Sequence, residues 1–469
     1  MGAIPLSERF RWHEGAIFSD YPLTQLLLPY RVRSCSAAPR GVRLSHRFHL
    51  FWISAVALFL GALCPPAFGA GFSPQIRVGL RAGDQWEPAI AADGYGHVYI
   101  FYPQYIQVPG CEMCPVPTMI LVESADHGAT WKSERRISSR GSAQFDAQIV
   151  VDPVDRRTVY AAWLENDKRD IAVARSVDFG LTWSVVVATR TETEADKPVL
   201  AVRGLDVYVT YNRATKVWVA ASHDGGNTFD TVNVNPTDGI GWAQAGGATI
   251  DPAGNVFLSW AAYRKNGDGP GPVDLHVSRS LDGGKDWSTY LLDVSGAPPE
   301  CTTDECGWAY LGAQIALTSD ASGTLYALWN AGPVSKGAER VFFASSTTAG
   351  ASWSTKSEVS TASRGVTHAF PTIVAGTAGD VRIAWMDTRH SPLWNTYYRS
   401  STNGGATWSP EVQLSNYIPG FPYIDPQGFK FPFGDYFEMD IDNRGDTQVV
   451  WGEGLTYESP GSIWYSSGR

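Results

Sequence analysis

The chain has 469 residues, is 44% hydrophobic and carries a net charge of −10. It has ample apolar content for a large core, and its acidity argues against nucleic acid or anionic membranes as partners. Abundant Trp, Tyr and Phe, with 47 Gly and 29 Pro, mark a turn-rich, all-β protein, and no sustained helical periodicity follows residue 70.

The first 70 residues stand apart. The apolar run LFWISAVALFLGAL, 50–63, follows Arg43, His46, Arg47 and His49. It is too short for a comfortable membrane span. It leads to Ala67-Phe68-Gly69, with small residues where a signal peptidase needs them. The expectation is an N-terminal extension and secretory signal peptide over 1–70 and a mature domain over 71–469. That domain would be secreted or periplasmic, with no stable membrane span after cleavage. The segment removed is net +4, leaving −14.

From Ser73 onward the chain repeats itself. SPQIRVGL, 73–80, reads as a single strand. Seven hairpins follow, each an apolar strand, a small turn and another apolar strand, at 87–102, 147–163, 197–211, 247–260, 312–329, 371–385 and 437–451. Six of them lead to an eight-residue phrase: SADHGATW at 124–131, SVDFGLTW at 176–183, SHDGGNTF at 222–229, SLDGGKDW at 280–287, STTAGASW at 346–353 and STNGGATW at 401–408. Copies lie 46 to 66 residues apart, the spacing of a repeat architecture.

Each position of the phrase has a physical task. Asp bonds its own turn backbone, Gly takes a positive φ, Ser and Thr bond nearby amides, and Trp anchors the turn on the neighbouring sheet. The phrase therefore reads as a stapled β-turn with a structural role. Thr348 and Asn403 replace the Asp in the last two copies. The seventh hairpin has no phrase after it, and 73–80 resembles the strands that follow the other phrases. The simplest closure lets this N-terminal strand complete the last blade, leaving no open sheet edge. The expected fold is a seven-bladed β-propeller of four-stranded blades. Six blades with an extra hairpin is the alternative count.

Four cysteines lie beyond residue 70: Cys111 and Cys114 in PGCEMCPVP, and Cys301 and Cys306 in PECTTDECGW. Two local disulfides are expected in an exported chain. A joint Cys₄ metal site would need loops of different blades to meet. A redox CxxC normally opens a helix, of which there is no sign here.

In a propeller the starts of the innermost strands ring a central funnel. Aligning the hairpins puts Trp86, Glu87, Asp146, Asp196, Lys197, Gln244, Leu311, Phe370, Asp435 and Tyr436 at or beside that rim. The ring is acidic and aromatic, with one lysine and no arginine. An anionic sugar acid would be repelled there. A neutral sugar stacked on Trp86 or Tyr436, or a cation held by carboxylates, fits better. Glu87 and Asp146 begin adjacent blades and would suit glycoside hydrolysis if their carboxyl groups lie ~5–9.5 Å apart. The plain alternative is that they bind water or backbone amides. No cofactor is expected, a calcium ion at these carboxylates being the one exception to test. The long loop NYIPGFPYIDPQGFKFPFGD, 416–435, is rich in aromatics and reads as a platform over the funnel or as a self-packed loop.

The phrase S-x-D-x-G-x-T-W resembles the Asp-box, or BNR repeat, of the sialidase superfamily, over residues 73–469. WMDTRH, 385–390, leading into YYRSSTNGGATW, is similar to exported bacterial proteins of that kind. The resemblance implies a propeller. For true sialidases it also implies three arginines, a Tyr–Glu pair and an aspartic acid/base. The first arginine sits in an Arg-Ile-Pro motif on the innermost strand of the first blade. In QWEPAI, 85–90, Pro88 matches that proline, and Trp86 stands where the arginine would be. Arg389, near a strand end, is the arginine that could match another. The function expected is an exported sialidase-like propeller that engages a glycan or glycoconjugate, as a glycoside hydrolase if it is an enzyme. The alternative is a non-catalytic propeller that binds a protein or cell-surface partner.

Overall fold

The computed structural model describes residues 71–80, 84–138, 142–235, 240–264, 271–298, 312–390, 393–415, 424–425, 428–429, 434–454 and 461–469. The expected signal segment, Leu311, Cys301, Cys306 and most of the aromatic loop lie outside the described residues.

The seven hairpins form seven blades, and no helix occurs among the described residues. Blade 1 is built from Ala89–Ala92, Val98–Gln104 and Thr118–Ser124, with Arg135 bridged to Leu121 at its outer edge. Blades 2 to 6 are four-stranded antiparallel sheets whose innermost strands are Phe145–Val151, Asp196–Arg203, Trp242–Ile250, Ile315–Ser319 and His368–Ala375. Blade 7 contains Glu438–Ile441, Thr447–Gly454 and Gly461–Gly468, and its outer strand is Ile76–Val78. The pairing Ile76↔Tyr465, Arg77↔Trp464 and Val78↔Ile463 closes the ring with the N-terminal strand, so the count is seven. Each innermost strand packs on the next, and that of blade 7 packs on Ala89–Ala92.

The sequence pattern explains the packing. Each second strand carries one large aromatic at the same register position: Tyr102, Trp163, Tyr211, Trp260, Trp329, Trp385 and Trp451. All seven are buried. Burying an aromatic of this size removes 150–250 Å² from water, so the ring of seven forms much of the inter-blade core.

The stapled turns have the expected chemistry. In the copy at 176–183, the Ser176 hydroxyl donates to Asp178 at 2.8 Å and accepts from the Gly180 amide at 2.8 Å. Asp178 accepts from both the amide and the hydroxyl of Thr182, and the Trp183 indole donates to the Gly180 carbonyl. These donors hold the Asp178 carboxyl down at about 2. Gly180 sits at φ +74, where a side chain would be strained. In the two altered copies Thr348 and Asn403 still accept the amide four residues on, Ser352 and Thr407, so a hydroxyl or amide oxygen substitutes for the carboxylate.

Candidate functional site

The rim follows from strand register. One position in each blade lies two residues before the residue paired opposite the neighbour of the buried aromatic. These positions are Glu87, Asp146, Lys197, Ala245, Gln314, Phe370 and Tyr436. In blade 4 the rim position is Ala245, with Gln244 beside it and both lining the axial cavity, and in blade 5 it is Gln314. Four rim residues have left-handed backbone: Glu87 at φ 55, Asp146 at 56, Lys197 at 50 and Phe370 at 53. A break in strand register accompanies this conformation at Asp146 and Phe370, where the strand carries a bulge.

Four acidic groups and two lysines gather here. Glu87, Asp146 and Asp435 are only 3%, 5% and 1% exposed. Glu87 and Asp146 are close enough for each charge to act on the other. Lys197 pairs with Asp435, lies 3.9 Å from Glu87 Oε1, and sits 4.5 Å over the Tyr436 ring. Lys168 stands 3.7 Å from Asp196 and 5.0 Å over the Phe145 ring. Among the described residues, Glu87 Oε2, Asp146 Oδ2 and Asp435 Oδ2 are buried without a hydrogen-bond partner. Burial pushes the Asp146 carboxyl up to about 7; the charges of Asp196 and Glu87 add to this, and Lys168 and Lys197 oppose it. Glu87 moves up as well, chiefly through burial. Two neighbouring acids out of water hold one proton between them more readily than two charges.

Aromatic groups flank the pair. Trp86 stacks on Tyr105, with centroids 3.7 Å apart and planes 5° from parallel. The Tyr436 hydroxyl donates to the Ala147 carbonyl at 3.2 Å. Gly434 presses directly on Glu87: a Cβ there would meet Glu87 Cγ at 2.1 Å. Inward from the rim a cavity of about 570 Å³ follows the axis, reached by Lys197, Gln314, Phe370, Asp435 and Tyr436. Its wall carries two further, half-buried acids, Glu438 raised to about 8 and Asp440 to about 6, both chiefly by desolvation. Glu438 accepts from Gln148 Nε2 and the Ile90 amide, and Asp440 accepts from the Ala92 amide. These bonds tie blade 7 to blades 1 and 2.

Of the residues singled out from sequence, Trp86, Glu87, Asp146, Asp196, Asp435 and Tyr436 come together. Arg389 does not join them. Its guanidinium is bonded to Asp387 and Glu411 and lies 3.6 Å over the Tyr397 ring in blade 6. His368 is equally engaged, between Ser360 and the Glu339 carbonyl. Cys111 and Cys114 are disulfide-bonded in the loop after the second strand of blade 1. Among the described residues no group of three or more His, Cys, Asp or Glu side chains is arranged to hold a metal ion. Lys168, Tyr105 and Gly434 escaped sequence reasoning, because each reaches the rim from a turn or loop rather than from an innermost strand.

The fold and its stapled turns define a seven-bladed Asp-box propeller with an acid-lined mouth. Residues 75–302, just under half of the chain, match the BNR repeat-like domain family. No curated protein matches it. Among solved structures, a protein of unknown function from Dyadobacter fermentans is similar at 13% identity and a TM-score of 0.48, over 86% of this chain and 99% of that one. An ulvan lyase, a polysaccharide lyase, is similar at 12% identity and a TM-score of 0.50, over 83% and 95%. A Hadza microbial sialidase is similar at 13% and 0.44, over 82% and 66%. Likeness at these identities concerns the fold alone.

Proposed function

We propose that this propeller is exported and engages a glycan at its mouth, with Glu87 and Asp146 as the acid–base pair of a glycoside hydrolase. One observation carries the reading: two buried carboxyl groups of adjacent blades, each within reach of the other's charge, stand on left-handed backbone beside the axial cavity. An acid that keeps its proton near neutrality, next to a second carboxyl, is what glycosidic cleavage asks of a site. Two-carboxylate hydrolysis needs the groups ~5–9.5 Å apart when the sugar is bound. The stacked Trp86 and Tyr105 and the Tyr436 ring suit a pyranose face. The acid excess, and the engagement of Arg389 with Asp387 and Glu411, disfavour a sialate or other sugar acid.

The test is a panel of chromogenic glycosides, a sialoside included, with Asp146→Asn and Glu87→Gln alongside the parent chain. Release of a neutral sugar that both substitutions abolish supports the reading. Turnover that survives both substitutions removes these residues from the chemistry. Glycan binding without turnover leaves a binding module. A non-catalytic, protein-binding propeller is the second reading. Tyr95, Val154 and Leu205 favour it, because they expose apolar side chains in the inner hairpin turns of three successive blades. Replacing all three by Ser would then abolish partner capture and leave glycan binding unchanged.

A further inference from the structure

The disulfide loop of blade 1 carries chemistry that the mouth does not use. Cys111 is partly exposed, Cys114 is buried, and Met113 between them is 92% exposed. Arg136, exposed on the strand side of the same blade, brings its guanidinium to both sulfurs. Its Nη1 lies 3.1 Å from Cys111 Sγ and 2.8 Å from Cys114 Sγ. Among the described residues no carboxylate pairs with Arg136.

Two physical arguments separate this bond from an ordinary staple. Only two residues lie between the cysteines. The chain-entropy gain from closing so small a loop is about 2 kcal/mol, against about 3 for a 15-residue loop. The loop is also held without it. The Tyr105 amide donates to the Asp84 carbonyl, the Gln144 amide donates to the Pro117 carbonyl, and Gln107 donates to the Cys111 carbonyl. A cation in contact with sulfur, by contrast, stabilises a thiolate, which is both the nucleophile and the leaving group of disulfide exchange. A redox CxxC normally takes that stabilisation from a helix terminus. Here a guanidinium supplies it.

We propose that Cys111–Cys114 is a thiol–disulfide exchange site, open to an external dithiol, in which Arg136 holds the thiolate that forms. A thiolate of the donor attacks Cys111 Sγ, the more exposed sulfur. The Cys111–Cys114 bond breaks and its electron pair leaves on Cys114 Sγ, beside the nearer guanidinium contact. The donor's second thiolate then attacks the mixed disulfide, releasing Cys111 and completing the donor's own disulfide. Two donor thiols are oxidised, one protein disulfide is reduced, and two protons pass to the cysteines. Run backwards, the same steps oxidise a dithiol.

The experiment uses the whole chain, with dithiothreitol as donor and peptide-level mass spectrometry to read Cys111 and Cys114 apart from Cys301 and Cys306. Reduced protein is alkylated with iodoacetamide as a function of pH. The expected midpoint for Cys111 or Cys114 lies at least about one pH unit below the ~8.5 of a free thiol. Arg136→Gln should return it toward that value and slow reduction by dithiothreitol about tenfold or more, while Arg136→Lys should keep most of the effect. A midpoint near ~8.5 in the parent chain, or one that Arg136→Gln leaves in place, overturns the proposal. So does a Cys111–Cys114 bond that resists dithiothreitol in the folded protein. Arg136 is exposed, so its replacement leaves the fold intact, and near-ultraviolet circular dichroism confirms this.

Discussion

Asp146→Asn offers a sharp test of how the mouth is built. Burial pushes this carboxyl from an ordinary value of 3.8 up to about 7. At about 1.4 kcal/mol per pH unit, keeping it ionised in the folded state costs about 4 kcal/mol, part of which belongs jointly to Glu87. The sign follows from proton counts. Between about pH 4 and pH 7 the unfolded chain has lost this proton and the folded chain has kept it. Native stability therefore falls as pH rises through that window and levels off above it. An amide cannot ionise, so the variant escapes the loss. Urea unfolding followed by tryptophan fluorescence at pH 4.5 and pH 8.5 should give similar stabilities for the two proteins at the lower pH. At the higher pH the variant should be the more stable, by about 2–4 kcal/mol, while its turnover is lost. A difference that changes by less than about 0.5 kcal/mol between these pH values would refute the buried-acid account.

Three further outcomes are expected. Gly434→Ala forces a Cβ to within 2.1 Å of Glu87 Cγ at φ +71. It should cost about 1–3 kcal/mol of stability and reduce turnover more than tenfold, read by unfolding and glycoside assays on the same preparation. Arg389→Ala leaves Asp387 buried without its partner and should cost about 3 kcal/mol, with glycan affinity unchanged; a fall in affinity would bring Arg389 into the site. Deleting 71–80 removes the strand paired with Gly461–Gly468 and bares a sheet edge. Light scattering should then show association and calorimetry a lower Tm, whereas a monomer of unchanged Tm would mean that the ring closes without that strand.

The legible part of this molecule is the part its repeats encode. The Ser-Asp-Gly-Trp phrase recurs because each copy must satisfy the same turn, so blade number and ring closure could be counted from sequence. The rim was legible from where each inner strand starts relative to its hairpin, which placed Glu87, Asp146, Lys197, Phe370 and Tyr436. In blade 4 it pointed to Gln244, one residue before Ala245, and both line the cavity. Lys168 and Gly434 were invisible, since a turn and a loop end carry no periodic signal of where they will lie. Arg136 was invisible for the same reason. It stands 22 residues from Cys114 and meets it only once the blade has folded.

The left-handed residues carry the argument for function furthest. A glycine at φ 50–56 would be free of strain, and this chain has 47 glycines to spend. At the rim it places Glu87, Asp146, Lys197 and Phe370 in that conformation instead, at a cost of order 1 kcal/mol or more each. Phe370 is an apolar plug, and packing accounts for it. Packing does not account for Glu87 and Asp146, which are buried, repel each other when ionised and leave an oxygen each without a donor. Stability would favour glycine or an apolar side chain at both positions. Backbone strain and buried charge are borne together where two adjacent blades meet the axis, and the simplest physical reason is that the carboxyl groups act on something that binds there.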